Sequence, residues 1–305
     1  MAVLENNIVV EGISKSYGMA KALDNVSFAA SKGEIFALIG PDGAGKSTLF
    51  RILTTLILPD SGSAYVAGFD VVKQFKEIRK NVGYMPGRFS LYQDLSVKEN
   101  LTLFATLFGT TIFQNKELIA PIYKHIERFS DRKASDLSGG MKQKLALCCA
   151  LIHRPDVLFL DEPTTGVDPV SRREFWDMLL ALKCKGVTIL VSTPYMDETR
   201  LCDRVALLKK GKLLTIDTPE GLKSKFGEKL YAVRGENMGA ILISLRKIRC
   251  VRSAFSFGDS HHVIFGGEPD QLLVELLQQG FTNVQITSIE PGIEDCYMKL
   301  AAEND

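Results

Sequence analysis

The residues Gly40-Pro41-Asp42-Gly43-Ala44-Gly45-Lys46-Ser47-Thr48 have types and spacing suited to holding a polyphosphate. They fit G-x-x-x-x-G-K-[ST]. A polyphosphate carries several negative charges and needs many N–H donors at close range. Glycines remove the Cβ atoms that would block that approach and permit left-handed backbone angles. The loop feeds a helix-compatible run, Thr48 to Thr55, whose N-terminus adds partial positive charge. In such a loop Lys46 reaches the β and γ phosphates and Ser47 offers a hydroxyl to Mg²⁺. Further along, Val157-Leu158-Phe159-Leu160-Asp161-Glu162-Pro163 ends an apolar run in two acids. A strand of that kind brings both acids to the carboxyl edge of a sheet, where ligands of α/β proteins sit. Between these segments, Leu137-Ser138-Gly139-Gly140-Met141-Lys142-Gln143-Lys144 is a short Ser-Gly-Gly turn leading into a helical pattern. It reads as another phosphate-facing helix N-terminus, with no lysine placed to make a second loop of the first kind.

Three continuous apolar runs must position these residues: Ile35 to Ile39, Val157 to Leu160 and Val187 to Val191. Each reads as a strand covered on both faces. The helical stretch Arg172 to Lys183 puts Phe175, Met178, Leu179 and Leu182 on one face. Asp168 can cap that helix, with Pro169 in its first turn. Buried strands separated by helices predict an α/β domain with a largely parallel sheet. Ahead of it, Ile8 to Ile13 and Ala22 to Phe28 alternate and predict a half-exposed antiparallel sheet. Lys209-Lys210-Gly211-Lys212 predicts a hairpin turn between Val205–Leu208 and Leu213–Ile216. The first domain is expected over 1–223. Over 224–305 the order becomes strand, helix, strand, strand, helix, strand, then a terminal helix near Ile293 to Ala301. That order predicts a small α+β domain of ferredoxin-like type.

The chain has 305 residues, 46% of them apolar, which suits about two domains with ordinary cores. Lys and Arg number 37 against 36 Asp and Glu, so no global attraction to nucleic acid or acidic membrane is expected. Met1 to Asn7 holds an acid and no basic residue, unlike a secretory signal. No run reaches the roughly 20 apolar residues that span a bilayer. Six cysteines without paired C-x-x-C spacing predict free, mostly buried thiols in reducing surroundings.

At the Ser138-Gly139-Gly140 turn the chain resembles the ABC ATPases, whose signature loop is LSGGQ-like. The resemblance covers roughly residues 5 to 222. It implies a P-loop ATPase fold with a parallel core sheet, an antiparallel β subdomain and a helical signature subdomain at about 88–153. It also implies two ATPase domains meeting head to tail, each ATP lying between one P-loop and the other domain's signature loop. Asp161 is then assigned to the Mg²⁺ shell. Glu162 becomes the base that activates or orients water, a role that suits a carboxylate beside a metal–phosphate cluster. Gly166-Val167-Asp168 resembles the D-loop at the dimer interface. Tyr17, in Ser16-Tyr17-Gly18, matches the aromatic that stacks on adenine. Phe89 to Leu101 resembles the segment that docks a membrane subunit, with Leu91, Tyr92 and Leu95 as apolar contacts; interior packing is the alternative. Ile289 to Asp295 resembles the tail of export-type members, and a dimerisation or regulatory domain explains that tail equally well.

Two positions depart from the family. In Val82-Gly83-Tyr84-Met85-Pro86-Gly87-Arg88, Gly87 stands where the Q-loop carries Gln. In Val191-Ser192-Thr193-Pro194-Tyr195-Met196-Asp197-Glu198, Pro194 takes the place of the switch-loop His. Neither offers a side chain to phosphate, metal or water. The expected protein is an ATP- and Mg²⁺-binding ABC subunit of export type. It would sit peripherally at the cytoplasmic face, with membrane permeases on separate chains and a second ATPase domain in a homo- or heterodimer. The alternative is a poorly hydrolysing partner of a competent ATPase. A soluble member acting on DNA or ribosomes is disfavoured by the absence of long coiled-coil insertions or a second P-loop. His261-His262 would point to opposite faces of a strand, which argues against a shared metal. Cys148-Cys149 reads as core.

Overall fold

The computed structural model describes residues 6–88 and 90–303. The chain divides into two compact units, Met1–Thr218 and Pro219–Asp305.

In the first unit, β1 (Asn6–Tyr17) and β2 (Ala20–Ser31) pair antiparallel. β3 (Ile35–Ile39) is buried along its whole length and leads to α1 (Lys46–Leu53). β4 (Ser61–Val66) and β5 (Phe69–Asp70) complete an antiparallel sheet of order β2-β1-β4-β5. α2 (Phe75–Asn81) and β6 (Val82–Met85) precede three helices, α3 (Val97–Leu107), α4 (Lys116–Tyr123) and α5 (Gly139–Leu151). Then follow β7 (Val157–Asp161), α6 (Pro169–Cys184), β8 (Thr188–Ser192), β9 (Arg204–Lys209) and β10 (Lys212–Asp217).

The second sheet has the order β10-β9-β3-β8-β7-β6. All its neighbours are parallel except the β9–β10 hairpin. Every residue of β3, β7 and β8 is buried, as continuous apolar runs require in a sheet covered on both faces. Phe28 stacks on Phe36 at 5.1 Å and Phe50 meets Phe159 edge-on at 6.1 Å, fastening the antiparallel sheet and α1 to the core sheet. The hairpin turn forms because Lys210 (φ 49°) and Gly211 (φ 79°) both take the left-handed angles that a two-residue turn demands. α1 begins at Lys46 rather than Thr48, since Gly45 turns the chain into it at φ 107°. α6 starts where expected: Asp168 accepts from the Ser171 N–H at 2.9 Å, and Phe175, Met178, Leu179 and Leu182 are buried.

In the second unit, α7 (Pro219–Ser224) is followed by β11 (Leu230–Arg234), α8 (Met238–Leu245), β12 (Val251–Phe257) and β13 (Ser260–Phe265). α9 (Pro269–Gln278), β14 (Gln285–Ile289) and α10 (Ile293–Glu303) complete it. The antiparallel sheet has the order β12-β13-β11-β14, and Val233, Ile241, Leu245, Val263, Leu272 and Leu276 form its core. The two units meet at 218/219, a few residues ahead of the boundary expected near 223. α7 belongs to this unit, because Leu222 is buried and its carbonyl accepts from the Cys296 thiol of α10 at 3.5 Å. The two histidines part as strand geometry requires. His261 bonds the Met238 carbonyl at 2.7 Å, and His262 bonds Asp295 at 2.7 Å. Among the described residues no helix is long and apolar enough to cross a membrane.

Candidate functional site

The Gly40–Ser47 loop is shaped by close backbone approach. A Cβ on Gly40 would lie 2.4 Å from the Leu208 carbonyl oxygen, and one on Gly45 would lie 2.4 Å from that of Ala22. The Gly211 N–H donates to the Ala44 carbonyl at 3.0 Å, so the β9–β10 turn braces the loop. α1 opens with no side-chain cap and no acid in its first turn, which leaves its N–H groups suited to an anion. Lys46 is 4% exposed. Its ammonium donates to the Gly40 carbonyl at 2.7 Å and the Pro41 carbonyl at 3.2 Å, and stands 3.6 Å from Glu162 Oε1. Pro41, Asp42, Gly43 and Ser47 are exposed, Thr48 is half-buried and Ala44 is buried.

Strand order explains how the acids reach this loop. β8 lies between β3 and β7, and its last residue, Ser192, is in register with both Leu38 and Asp161. Asp161 is 5% exposed and its Oδ1 accepts from the Ser192 hydroxyl at 2.7 Å. Glu162 takes a left-handed backbone, φ 52°, which costs a non-glycine residue about 1–2 kcal/mol. Its N–H is held by the Ser192 carbonyl at 3.1 Å and the Ser192 hydroxyl at 3.0 Å. The apolar run identified β8, but nothing in the run marked Ser192 as a partner of the acids; its position at the carboxyl end of a buried strand was the available signal. Burial and the negative Asp161 push the Tyr84 hydroxyl up to about 12, so it stays neutral at ordinary pH.

Of the two departures, Gly87 sits against Asp161, and Pro194 lies two residues after Ser192. A Cβ on Gly87 would stand 3.2 Å from the Asp161 carbonyl oxygen and 3.8 Å from Asp161 Oδ2. The turn around Pro194 is tied down from both sides. Buried Glu198 accepts from the Thr164 hydroxyl at 3.1 Å and from the Thr193 hydroxyl, and lies 3.8 Å from Arg172 Nε. The Arg172 guanidinium covers the Tyr195 ring at 3.9 Å.

Ser138, Gly139 and Gly140 form a second cluster with the segment that follows the acids. Ser138 caps α5, accepting from the Met141 N–H at 3.4 Å. A Cβ on Gly139 would lie 3.5 Å from the Gly166 carbonyl oxygen, and one on Gly140 would lie 2.6 Å from Ser171 Oγ. Lys144 pairs with Glu174 of α6 at 2.5 Å. Asp168 therefore shares a neighbourhood with the Ser-Gly-Gly turn, and the Ser171 N–H holds its carboxyl below the usual range. Tyr17 ends β1, 48% exposed, with the Lys15 ammonium 5.9 Å over its ring. In the predicted docking segment Tyr92 is exposed, Leu95 half-buried and Leu91 buried, while Phe89 lies outside the described residues.

The family profile for ABC transporters matches residues 23–165. The Nod factor export ATP-binding protein I of Mesorhizobium japonicum is 36% identical over 293 residues, 95% of this chain and 85% of that protein. The chain belongs to the ABC transporter ATP-binding proteins. The "Probable multidrug ABC transporter ATP-binding protein YbhF" of Escherichia coli is 43% identical over 223 residues, which cover 72% of this chain and 39% of that longer relative. A solved dimeric ATP-binding cassette in a post-hydrolysis state with ADP and phosphate superposes with a TM-score of 0.63 at 26% identity, covering 69% of this chain and 98% of the cassette. These ABC cassettes share the α/β fold described above.

Chemically, the loop glycines and the α1 N-terminus can bind a triphosphate, and Lys46 can place its charge on the terminal phosphates. The Ser47 hydroxyl and the Asp161 carboxylate are hard oxygen donors that fit Mg²⁺, a cation content with one or two protein oxygens plus phosphate. Bound there, Mg²⁺ would neutralise charge on the phosphates. No group of three or more His, Cys, Asp or Glu suited to a metal occurs among the described residues, so a metal would depend on the nucleotide for further ligands. Glu162, beside Lys46, can orient an attacking water.

Proposed function

We propose that this chain is the ATPase of an export system whose permeases are separate polypeptides, and that it works as a dimer at the cytoplasmic face of the membrane. ATP binds Gly40 to Thr48 of one protomer, with Lys46 on the β and γ phosphates, Ser47 and Asp161 on Mg²⁺ and Tyr17 against adenine. Ser138, Gly139, Gly140 and Asp168 of the other domain close over it. The observation that carries this reading is the convergence of the loop lysine with the strand-end acids, Lys46 to Glu162 at 3.6 Å. The export direction follows from the name of the Nod factor export relative. An open, mostly apolar groove of about 400 Å³ lined by Met85, Pro86, Leu91, Phe104, Phe108 and His153 offers a seat for a permease helix. Residues 219–305, of ferredoxin-like type, serve dimerisation or regulation.

A second reading, favoured by Gly87 and Pro194, makes this chain the weakly hydrolysing member of a heterodimer. Its cradle binds ATP and its Ser138 turn completes a partner's competent site. Both readings predict that Lys46→Ala weakens nucleotide binding; unchanged affinity would remove the site assignment. Steady-state phosphate release, with Glu162→Gln as control, separates the two. Robust turnover by the purified chain alone rejects the heterodimer reading, whereas turnover that appears only with a co-purifying ATPase supports it.

A further inference from the structure

The geometry points to Ser192 as a positioning residue that aims both acids of the metal–phosphate site through one buried hydroxyl. Ser192 is fully buried at the carboxyl end of β8. Its hydroxyl has one hydrogen to give and lone pairs to receive. The hydrogen goes to Asp161 Oδ1 at 2.7 Å, and a lone pair receives the Glu162 N–H at 3.0 Å. The two bonds need opposite polarity, so one hydroxyl serves both without competition. Pinning Oδ1 fixes the carboxylate plane and leaves Oδ2 as the oxygen on the Gly87 side, 3.8 Å from where a Cβ there would stand. The bond to the Glu162 N–H reinforces the left-handed turn that sets where the second carboxylate begins.

Sheet order makes this arrangement possible. β8 is the strand between the one that feeds the phosphate loop and the one that ends in the acids, so its terminal side chain is the one both registers bring to Asp161. With glycine at 87 and proline at 194, those two positions have no polar side chain to help orient the acids, and the task falls to Ser192. The inference rests on the reading of Asp161 as the residue that holds Mg²⁺.

The test compares ATP affinity of the full chain in Mg²⁺ and in EDTA. Positioning partners of metal ligands typically change metal affinity by 10–100-fold. Ser192→Ala should keep its EDTA affinity and lose roughly tenfold of the gain that Mg²⁺ gives the parent chain. Ser192→Cys, close in volume but a poor donor, should lose a smaller part of that gain and supplies the measurement if the alanine variant does not fold. Asp161→Asn is the control and should abolish the gain. If Asp161→Asn keeps it, the metal reading falls and the inference with it. If Asp161→Asn loses the gain while Ser192→Ala or Ser192→Cys retains the parent value, the metal reading stands and Ser192 has no positioning role.

Discussion

The floor of the phosphate site and its rim differ in what they present to a ligand. On the floor, Gly40 and Gly45 have no room for a Cβ, Lys46 is bound to two loop carbonyls, and Ser192 joins the acids. On the rim, Gly87 and Pro194 present no functional group. The rim is nevertheless built: Thr193, Thr164 and Glu198 tie the Pro194 turn to the segment after the acids. On the reading proposed above, the floor both holds the polyphosphate and supplies Glu162 to orient water, while the rim loops are where the family adds further contacts to the terminal phosphate.

Restoring the rim is the strongest way to break this contrast. Gly87→Gln with Pro194→His returns the two side chains the family carries there. If the floor is competent, turnover by the purified chain should rise on the order of 10²-fold, the scale set by regaining one transition-state donor. Phosphate release that stays at the parent level would show that the floor itself is deficient.

The floor can be graded by its own glycines. Gly45→Ala meets a carbonyl oxygen at 2.4 Å and a backbone at φ 107°, so it should cost about 2–4 kcal/mol of stability and abolish ATP binding. Gly43→Ala keeps a positive φ of 77° but meets nothing within 4 Å, so about 1 kcal/mol is expected, with binding retained. Chemical denaturation and nucleotide titration of both variants check this. Equal losses would mean that backbone angle alone, without close approach, governs the loop.

The floor was legible in the sequence because its requirements are local. Glycine spacing, a following lysine and two acids after an apolar run each follow from what a phosphate or a buried strand needs. The Asp168 cap and the Lys210-Gly211 turn were legible for the same reason. Ser192 was not, because its role comes from β8 lying between β3 and β7, and strand order is a long-range property. Gly140 read as a phosphate-facing glycine, yet Ser171 also fills the space beside it, a contact between helices that no spacing reveals. The assignment of α7 to the second unit is not legible in the sequence, because α7 is short and only its packing with α10 places it there.

The smallest expected effect lies outside both floor and rim, in the apolar groove. His153 lies flat on Phe108, ring centroids 3.7 Å apart, and its Nε2 bonds the Val82 carbonyl at 3.0 Å. Nε2 must therefore carry the hydrogen, and Nδ1 is buried without a partner. Burial holds the pKa of this ring below its ordinary value of 6.5. For a base lowered in the folded state, the unfolded chain takes the proton first. The stability tied to the neutral ring is fully present above about pH 6.5 and is lost as pH falls from there toward the folded value. Between pH 7.5 and 5.5 the parent chain should lose roughly 1 kcal/mol or less more than His153→Gln does, measured by denaturation at each pH. ATP affinity at pH 7.5 should match in the two chains, since this ring lies in the groove rather than on the floor. A His153→Gln variant that bound ATP more weakly at that pH would show that groove and floor are coupled, and the separation drawn between holding phosphate and the surrounding surfaces would fail.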